Sequence, residues 1–306
     1  MSQLRSGFVA GVAANLLWGL FPLYWPLLKP AASLEILAHR MVWSAAALAL
    51  VLALTSGFRW MGAIGRRRVA LLGLAALLIT VNWGMYIYAV NAGNVVEASL
   101  GYFINPLVTV ALAVAFLGER MRALQWAAVA IAALAVVVLA IDYGHPPWIA
   151  LTLAVSFSLY GFVKKRAAVD GVQSLSVETA FLLAPASAYL IWLGATGRGT
   201  FTSHGAGHLL LLVGAGVVTA VPLILYGSAT YRIPLVAVGL LQYITPVIQF
   251  LIGVLVDHEP MPAGRLAGFA LVWLALGVFT LDALRSLRAG DGLAPTAVAA
   301  TQAAGS

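Results

Sequence analysis

Three features of the sequence predict an all-α membrane protein with ten transmembrane helices arranged as two inverted five-helix repeats. The 306 residues are 62% hydrophobic and 9% charged, whereas a soluble domain carries about 25% charged residues. The apolar runs are about 20 residues long, which is the length that an α-helix needs to cross a bilayer. In addition, the second half of the chain repeats residues of the first half.

Proline, glycine and clusters of charge divide the sequence into ten apolar runs, each long enough for one span. The first run is too long for the core of a signal peptide, so we expect it to remain as the first span. Strands of a membrane β-barrel are only about 9–11 residues long and alternate in polarity, which argues against a barrel. The predicted spans are 7–28, 34–54, 69–90, 96–117, 123–141, 147–166, 174–194, 208–229, 236–256 and 263–284.

The basic residues are distributed unevenly over the predicted loops. With the N-terminus in the cytoplasm, thirteen of the 17 Lys and Arg residues fall in cytoplasmic segments, three fall outside, and Arg40 lies within a span. This excess on one side is the positive-inside pattern. We therefore expect both termini in the cytoplasm, and the net charge of +7 records topology rather than a nucleic-acid partner.

The two halves of the sequence match at nearly constant offsets. Near the start of each half the offset is 142–143, pairing Gly19 with Gly161 and Glu35 with Glu178. Because each half holds five spans, an odd number, the second half enters the membrane from the opposite side. We predict a first repeat over 1–141, an inverted second repeat over 142–288 and a disordered cytoplasmic tail over 289–306. Further pairs, at an offset of 140, are Tyr86–Tyr226, Leu100–Leu240, Ile104–Ile244, Asn105–Thr245, Pro106–Pro246 and Glu119–Glu259.

The matched prolines predict a central cavity. A proline inside a helix removes a hydrogen bond and costs roughly 3 kcal/mol in water. In a membrane such a break is tolerated where the helix faces protein or a wet cavity, and inverted repeats bind substrate where the halves meet near the midplane. Pro106 and Pro246 are therefore predicted to line that cavity, although both residues could simply kink helices for packing.

Polar and aromatic residues in neighbouring spans extend the predicted cavity. Glu97, Gly101 and Asn105 recur every four residues on one helical face, and such a stripe beside aromatic walls suits a small amphipathic solute. The alternatives are hydrogen bonding between helices and, for Glu97, a solvated helix end. The predicted lining comprises Asn82, Trp83, Tyr86, Glu97, Gly101, Tyr102, Asn105, Pro106, Tyr226, Gln242, Tyr243 and Pro246.

Ionisable side chains within spans are costly and mark a second candidate group. Glu35 and His39 are i,i+4 neighbours near the outer end of the second span, and Arg40 lies deeper. We expect Arg40 to act as a charged gate or substrate anchor, with Glu35 or Glu178 compensating its charge. A structural ion pair at the outer interface is the alternative.

The sequence contains no HExxH, GxSxG, Walker or dinucleotide motif and no cysteine. We therefore predict no catalytic residue, metal site or cofactor, and transport driven by a gradient or passive. If protons are coupled, Glu35, Glu97 and Glu178 are the candidate carriers. The alternatives to a transporter are an intramembrane enzyme and a non-transporting sensor subunit.

Several dense motifs resemble the RarD proteins of bacteria, which belong to the EamA branch of the drug/metabolite transporter superfamily. The resemblance extends from Leu16 to Glu259. It is carried by LLWGLFPLYW, EILAHRMVWS, NWGMYIYAV, EASLGYFINPLV, PPWIALTLAVSFSLYGFVKK, ETAFLLAP and GLLQYITPV.

The resemblance implies a ten-helix inner-membrane transporter of small solutes, with an exporter-like role. Its cavity would be lined mainly by spans three, four, eight and nine. The family name carries a chloramphenicol label, which is treated as a label and not as a substrate. This sequence departs from internal symmetry at two places, since Ala237 stands opposite Glu97 and Pro222 opposite Asn82.

Overall fold

The computed structural model describes residues 3–54, 57, 64–117, 122–167, 169, 171–232 and 241–288. Within these ranges the regular structure is entirely helical. The elements are α1 (Gln3–Gly19), α2 (Phe21–Tyr24), a 3₁₀ turn (Trp25–Leu28), α3 (Ser33–Leu54), α4 (Arg66–Asn91), α5 (Val95–Leu117), α6 (Ala123–Tyr143), α7 (Trp148–Ala167), α8 (Gly171–Ala195), α9 (Gly205–Arg232), α10 (Ile244–Leu255) and α11 (Ala263–Arg288).

The described helices coincide with the ten predicted apolar runs to within a few residues, except that the run at 236–256 lies partly outside the described residues. Six helices are long and apolar enough to cross a membrane. The pair formed by α1 and the segment Phe21–Leu28, bent by 42°, is a seventh candidate, and Trp148–Lys164 and Ile244–Leu255 are shorter apolar helices. An all-helical membrane protein is therefore confirmed, whereas the count of ten spans stays a prediction.

The prolines sit at different places in their helices. Pro22 and Pro26 stand in the first turns of α2 and of the 3₁₀ turn, where a missing N–H costs little. Pro246 likewise lies in the first turn of α10, and it is buried. By contrast, Pro106 lies inside α5, which continues through it as one helix. The two matched prolines therefore occupy different positions, one within a helix and the other in a first turn.

The chain divides into two compact units. The first contains α1–α5 and α7–α10, and its apolar core gathers buried side chains from the 3₁₀ turn and from α3, α4, α5, α7, α8 and α9. The second contains α6 and α11. Each unit thus takes helices from both halves of the sequence.

In the second unit, α6 and α11 pack as an antiparallel pair. Arg122, just before α6, donates from Nε to the Asp282 carboxylate near the end of α11 at 2.8 Å. At the other end, Arg265 in the first turn of α11 donates from Nε to Asp142 at 3.3 Å. The start of each helix is therefore tied to the end of the other.

In the first unit, α3 and α9 approach each other closely at Gly216. A Cβ added there would collide with the backbone of Trp43 and Ser44, and the Ser44 hydroxyl donates to the Gly216 carbonyl oxygen at 3.3 Å. Small residues permit this kind of contact between membrane helices, where dispersion and hydrogen bonds replace the hydrophobic effect.

The substitution Gly216→Ala should destabilise the protein by about 1–3 kcal/mol, because the added methyl group pushes backbone against backbone. The thermal unfolding midpoint in detergent measures the loss. Gly207, on the same helix, has open space around its Cα, so Gly207→Ala is the matched control and should leave the midpoint unchanged or raise it. Equal midpoints for the two variants would contradict the close approach of α3 and α9.

Candidate functional site

Arg40 lies at the centre of the first unit with 2% of its surface exposed. Its guanidinium Cζ is 3.8 Å from the centroid of the Trp83 ring, 5.2 Å from that of Trp25 and 5.7 Å from that of Phe21. These rings come from α4, the 3₁₀ turn and α2. Among the described residues Arg40 has no ion pair, and its Nε and Nη1 atoms are buried without a hydrogen-bond partner.

Asn82 and Tyr102 form a polar network beside this arginine site. The Asn82 amide nitrogen, fully buried on α4, donates to the Leu153 carbonyl oxygen at 2.9 Å and to Ser156 Oγ at 3.0 Å. The Tyr102 hydroxyl on α5 donates to Asn82 Oδ1 at 3.2 Å. The Tyr86 ring meets the Tyr102 ring edge-on at 5.7 Å. Asn82 and Tyr86 thus face α5 or α7, whereas Trp83 faces Arg40 on α3.

The predicted polar stripe on α5 faces α7 rather than an open cavity. Glu97 Oε1 accepts from the Ile149 amide at 3.1 Å, and a Cβ at Gly101 would meet the Ala150 carbonyl oxygen at 2.7 Å. Asn105 Oδ1 accepts from the Ser158 hydroxyl at 2.6 Å. The contacts of all three residues are therefore those expected from the alternative interpretation, interhelical packing, and the cavity-lining role of the stripe stays a prediction.

Residues of the second half form a smaller polar group around Tyr226. Its hydroxyl accepts from the Gln242 amide at 2.7 Å, and its ring lies 5.3 Å from that of Trp18. On α10, Gln249 donates from its amide to the Trp18 carbonyl oxygen at 3.2 Å, while its own Oε1 is buried without a partner. Tyr243 precedes α10 at its N-cap. The side chain of Pro106 lies outside the described residues.

Glu35 and His39 do not pair with each other or with Arg40. Glu35 Oε1 accepts from the backbone amide of Thr200 at 2.6 Å and from its hydroxyl at 3.1 Å, and that hydroxyl lies 2.8 Å from His208 Nε2. His39 Nδ1 accepts from the Trp43 indole at 3.3 Å, and its ring stacks on Phe201. Both residues hold the turn between α8 and α9 over α3, so the predicted compensation of Arg40 by Glu35 is wrong.

Glu178 is neutralised by a lysine of the neighbouring helix. Its Oε1 lies 3.1 Å from Lys164 Nζ and accepts from the Ser174 hydroxyl at 2.6 Å. Its Oε2 accepts from the Tyr160 hydroxyl at 2.9 Å. Glu178 is therefore not the counter-ion of Arg40 either, which corrects the second predicted pairing.

Glu259 holds the N-terminus of α5. Its carboxylate accepts from the amides of Val95, at 2.5 Å, and Val96, at 3.1 Å. These two groups are among the helix-start amides that lack partners within the helix, and a negative charge there also favours the helix dipole. The matched residue Glu119 lies outside the described residues.

Three residues that contact the buried polar groups were not predicted from the sequence: Trp25, Gln249 and Asn15. Trp25 is enclosed and borders Arg40, yet in the sequence it is one tryptophan among nine. Asn15, on α1, accepts from the Thr245 hydroxyl at 3.0 Å. An asparagine and a glutamine inside apolar runs were signals in the sequence, because such residues within spans seek polar partners.

Two other features bear on chemistry. No group of three or more His, Cys, Asp or Glu residues that could hold a metal ion occurs in the described part of the chain. An apolar cavity of about 140 Å³ lies between α3 and α8, lined by Leu48, Leu52, Thr179 and Leu183 among others. It contains none of the predicted site residues.

Known proteins place this chain in a family. The model of the EamA-like transporter family matches residues 5–141. The protein RarD of Streptomyces exfoliatus is 53% identical over 304 residues, covering 97% of this chain and 96% of that protein. The chain belongs to the RarD proteins of the EamA family. The uncharacterized transporter YojE of Bacillus subtilis is 41% identical, covering 94% of this chain and 98% of its own length.

A solved structure also matches this RarD protein. It is titled "Crystal structure of protein", covers 90% of this chain and 98% of its own, and has a TM-score of 0.60 at 20% sequence identity. At that identity the likeness concerns the fold alone. With its apolar helices and its transporter relatives, the RarD chain is a multi-pass bacterial membrane protein of the transporter class.

Removing the lysine of the Lys164–Glu178 pair should destabilise the protein by about 1–3 kcal/mol, because Lys164→Met leaves a buried carboxylate without its cation. We expect less than for a fully buried pair, since the Lys164 side chain is 25% exposed. The thermal unfolding midpoints of Lys164→Met, Glu178→Gln and the double variant in detergent measure the interaction energy between Lys164 and Glu178. Arg166→Met, an exposed site on the same helix, is the control.

The double variant should be more stable than Lys164→Met alone, because it no longer buries an unpaired charge. A loss in the double variant equal to the sum of the two single losses would show that the two groups do not interact.

Proposed function

We propose that this RarD protein is an inner-membrane secondary transporter that moves a small organic solute by alternating access, most simply as an exporter. Its five-helix halves, 1–141 and 142–288, would be inverted copies that rock about a site near the midplane. The observation that carries the proposal is the buried polar and aromatic centre of the first unit, to which helices of both halves contribute.

The directions of matched helices support inversion. In the proposed alignment α6 corresponds to α11, and the Arg122–Asp282 and Arg265–Asp142 ion pairs make these helices antiparallel. Likewise α5 corresponds to α10, and Glu259, just after α10, binds the amide of Val95 at the start of α5. Copies arranged in the same direction would not bring the end of one helix to the start of its counterpart.

The packing of the helices also supports the repeat. Helices α4 and α5 of the first half pack on α7, and their counterparts α9 and α10 pack on α1. Similarly α3 packs on α9, while α8 packs on α4. Replacing each of these helices by its counterpart therefore reproduces these packed pairs, as expected for two related halves.

Individual side-chain contacts follow the same relation. Asn105 on α5 binds Ser158 on α7, and the matched Thr245 on α10 binds Asn15 on α1. At the offset of 142 that pairs Gly19 with Gly161, Asn15 corresponds to Phe157, the neighbour of Ser158. The two hydrogen bonds therefore join matched pairs of helices, at positions on α1 and α7 that differ by one residue.

The proposed topology places both termini in the cytoplasm, because this orientation leaves thirteen basic residues inside and three outside. Protons are a candidate coupling ion. Of the three predicted carriers, Glu97 binds the start of α7 and Glu178 is paired with Lys164. Glu35 also accepts from a backbone amide, that of Thr200, but the Thr200 hydroxyl joins it to His208. We propose Glu35 as the carrier because a histidine, which titrates near neutral pH, adjoins it.

A reversible lock between the halves tests alternating access. The sequence has no cysteine, and α5 and α10 touch where a Cβ at Gly253 would lie 2.8 Å from Val96 Cγ2. We therefore choose these two positions for a pair of cysteines. We first screen for solutes that raise the thermal unfolding midpoint of the purified protein. The saturable flux of these solutes is then measured in liposomes, with and without a pH gradient.

Oxidation of Val96→Cys/Gly253→Cys should stop the flux, and reduction should restore it, while the oxidised single-cysteine variants continue to transport. Loss of free-thiol labelling verifies the disulfide. In Glu35→Gln the flux should no longer respond to the pH gradient. Full flux through the locked protein contradicts alternating access, and an unchanged gradient response in Glu35→Gln contradicts the proton proposal.

A further inference from the structure

The side chain of Arg40 is a buried cation that the described protein does not neutralise. Burying an unpaired charge between apolar helices costs several kcal/mol. The rings of Trp83, Trp25 and Phe21 offset part of this cost through cation–π attraction. Ring faces do not accept in-plane N–H donors, however, and the Nε and Nη1 groups remain unbonded.

The carboxylates that could have served Arg40 are engaged elsewhere. Glu35, five residues earlier on α3, accepts from Thr200, and Glu178 is paired with Lys164. Glu35 and Glu178 were the predicted counter-ions of Arg40, and neither carboxylate forms an ion pair with its guanidinium.

The unbonded polar atom beside Arg40 is also a hydrogen-bond donor. Trp25, whose ring lies 5.2 Å from the guanidinium, has a buried Nε1 with no partner. An indole nitrogen can only donate. Together with the guanidinium this donor provides a site that an oxyanion would satisfy.

The matched position in the second half does not contain a cation. At the offset of 143 that pairs Glu35 with Glu178, Arg40 corresponds to Leu183 (40 + 143). Leu183 is 39% exposed, whereas Arg40 is 2% exposed, so the two halves differ here in burial as well as in charge. The repeat itself therefore does not demand a buried arginine, and the fold does not explain the cost of burying this charge.

We propose that Arg40 binds the carboxylate of an organic acid that has an apolar body, at the site bordered by the Trp83, Trp25 and Phe21 rings. The planar fork of a guanidinium matches a carboxylate through two parallel hydrogen bonds. A single negative charge neutralises a single cation, whereas phosphate would add a second charge. This inference rests on the proposed transport function, and it names the class of solute.

Binding to the purified full-length protein in detergent tests the carboxylate site. The probes are benzoate, phenylacetate and indole-3-acetate, each with its neutral amide, together with inorganic phosphate, measured by calorimetry and by thermal shift. We expect at least one of the acids to bind at least about tenfold more tightly than its amide and more tightly than phosphate. Arg40→Met should weaken the binding by about 10- to 100-fold.

The control is Arg198→Met, because Arg198 also lies over a tryptophan ring, that of Trp192, but is exposed to solvent. It should leave the acid affinity unchanged. Without ligand, Arg40→Met should unfold at the same or a higher temperature than the wild type, since an apolar side chain replaces an unpaired buried charge. A large fall in that temperature would mean that Arg40 is a satisfied structural residue and would overturn the proposal.

Two further results would overturn it: no acid binds, or the acid and its amide bind Arg40→Met as they bind the wild type. Flux in liposomes separates this inference from the proposed function. Acid binding that depends on Arg40, without flux, supports the site and contradicts transport. Saturable flux of a solute that is unaffected by Arg40→Met supports transport and contradicts the site.

Discussion

Polar groups buried between apolar helices have no water to bind, and this constraint determines which helices of the RarD chain touch. Each unsatisfied group costs about 1–3 kcal/mol, so partners must come from neighbouring helices. Asn82 reaches α7, Asn105 meets Ser158, and Glu259 holds the start of α5. Together with close backbone approaches such as that of Gly216 to α3, these contacts define the helix pairs that would relate two inverted halves.

The constraint also separates structural polar residues from functional ones. Glu97, Glu178 and Asn105 each have partners in the protein, and their burial needs no ligand to explain it. Arg40 is different, because its donors face aromatic rings and remain unbonded. In the proposed repeat, specificity would reside where the two copies differ, and Arg40 is such a position because an apolar residue corresponds to it.

Composition and the length of the apolar runs were enough to predict a membrane protein and the approximate ends of its helices. The reason is that the apolar core of the bilayer requires apolar side chains and fixes the length of a spanning helix. The internal offsets also predict which helices would correspond in an inverted repeat, and this stays a prediction. Sequence periodicity showed that Glu97, Gly101 and Asn105 share a face, but it could not show that this face meets α7 instead of a cavity. The partner of Arg40 was mispredicted for the same reason, since Glu35 binds Thr200, 165 residues away, and such distances are set by tertiary packing.

Inversion of the two halves is the central claim, and the sidedness of their equivalent loops tests it most directly. Single cysteines introduced at Ala32, after the first span, and at Val169, after the sixth, can be labelled in intact cells with a membrane-impermeant maleimide. The account predicts that Ala32→Cys reacts in intact cells, whereas Val169→Cys reacts only after permeabilisation. Labelling of both positions from the same side of the membrane would contradict it.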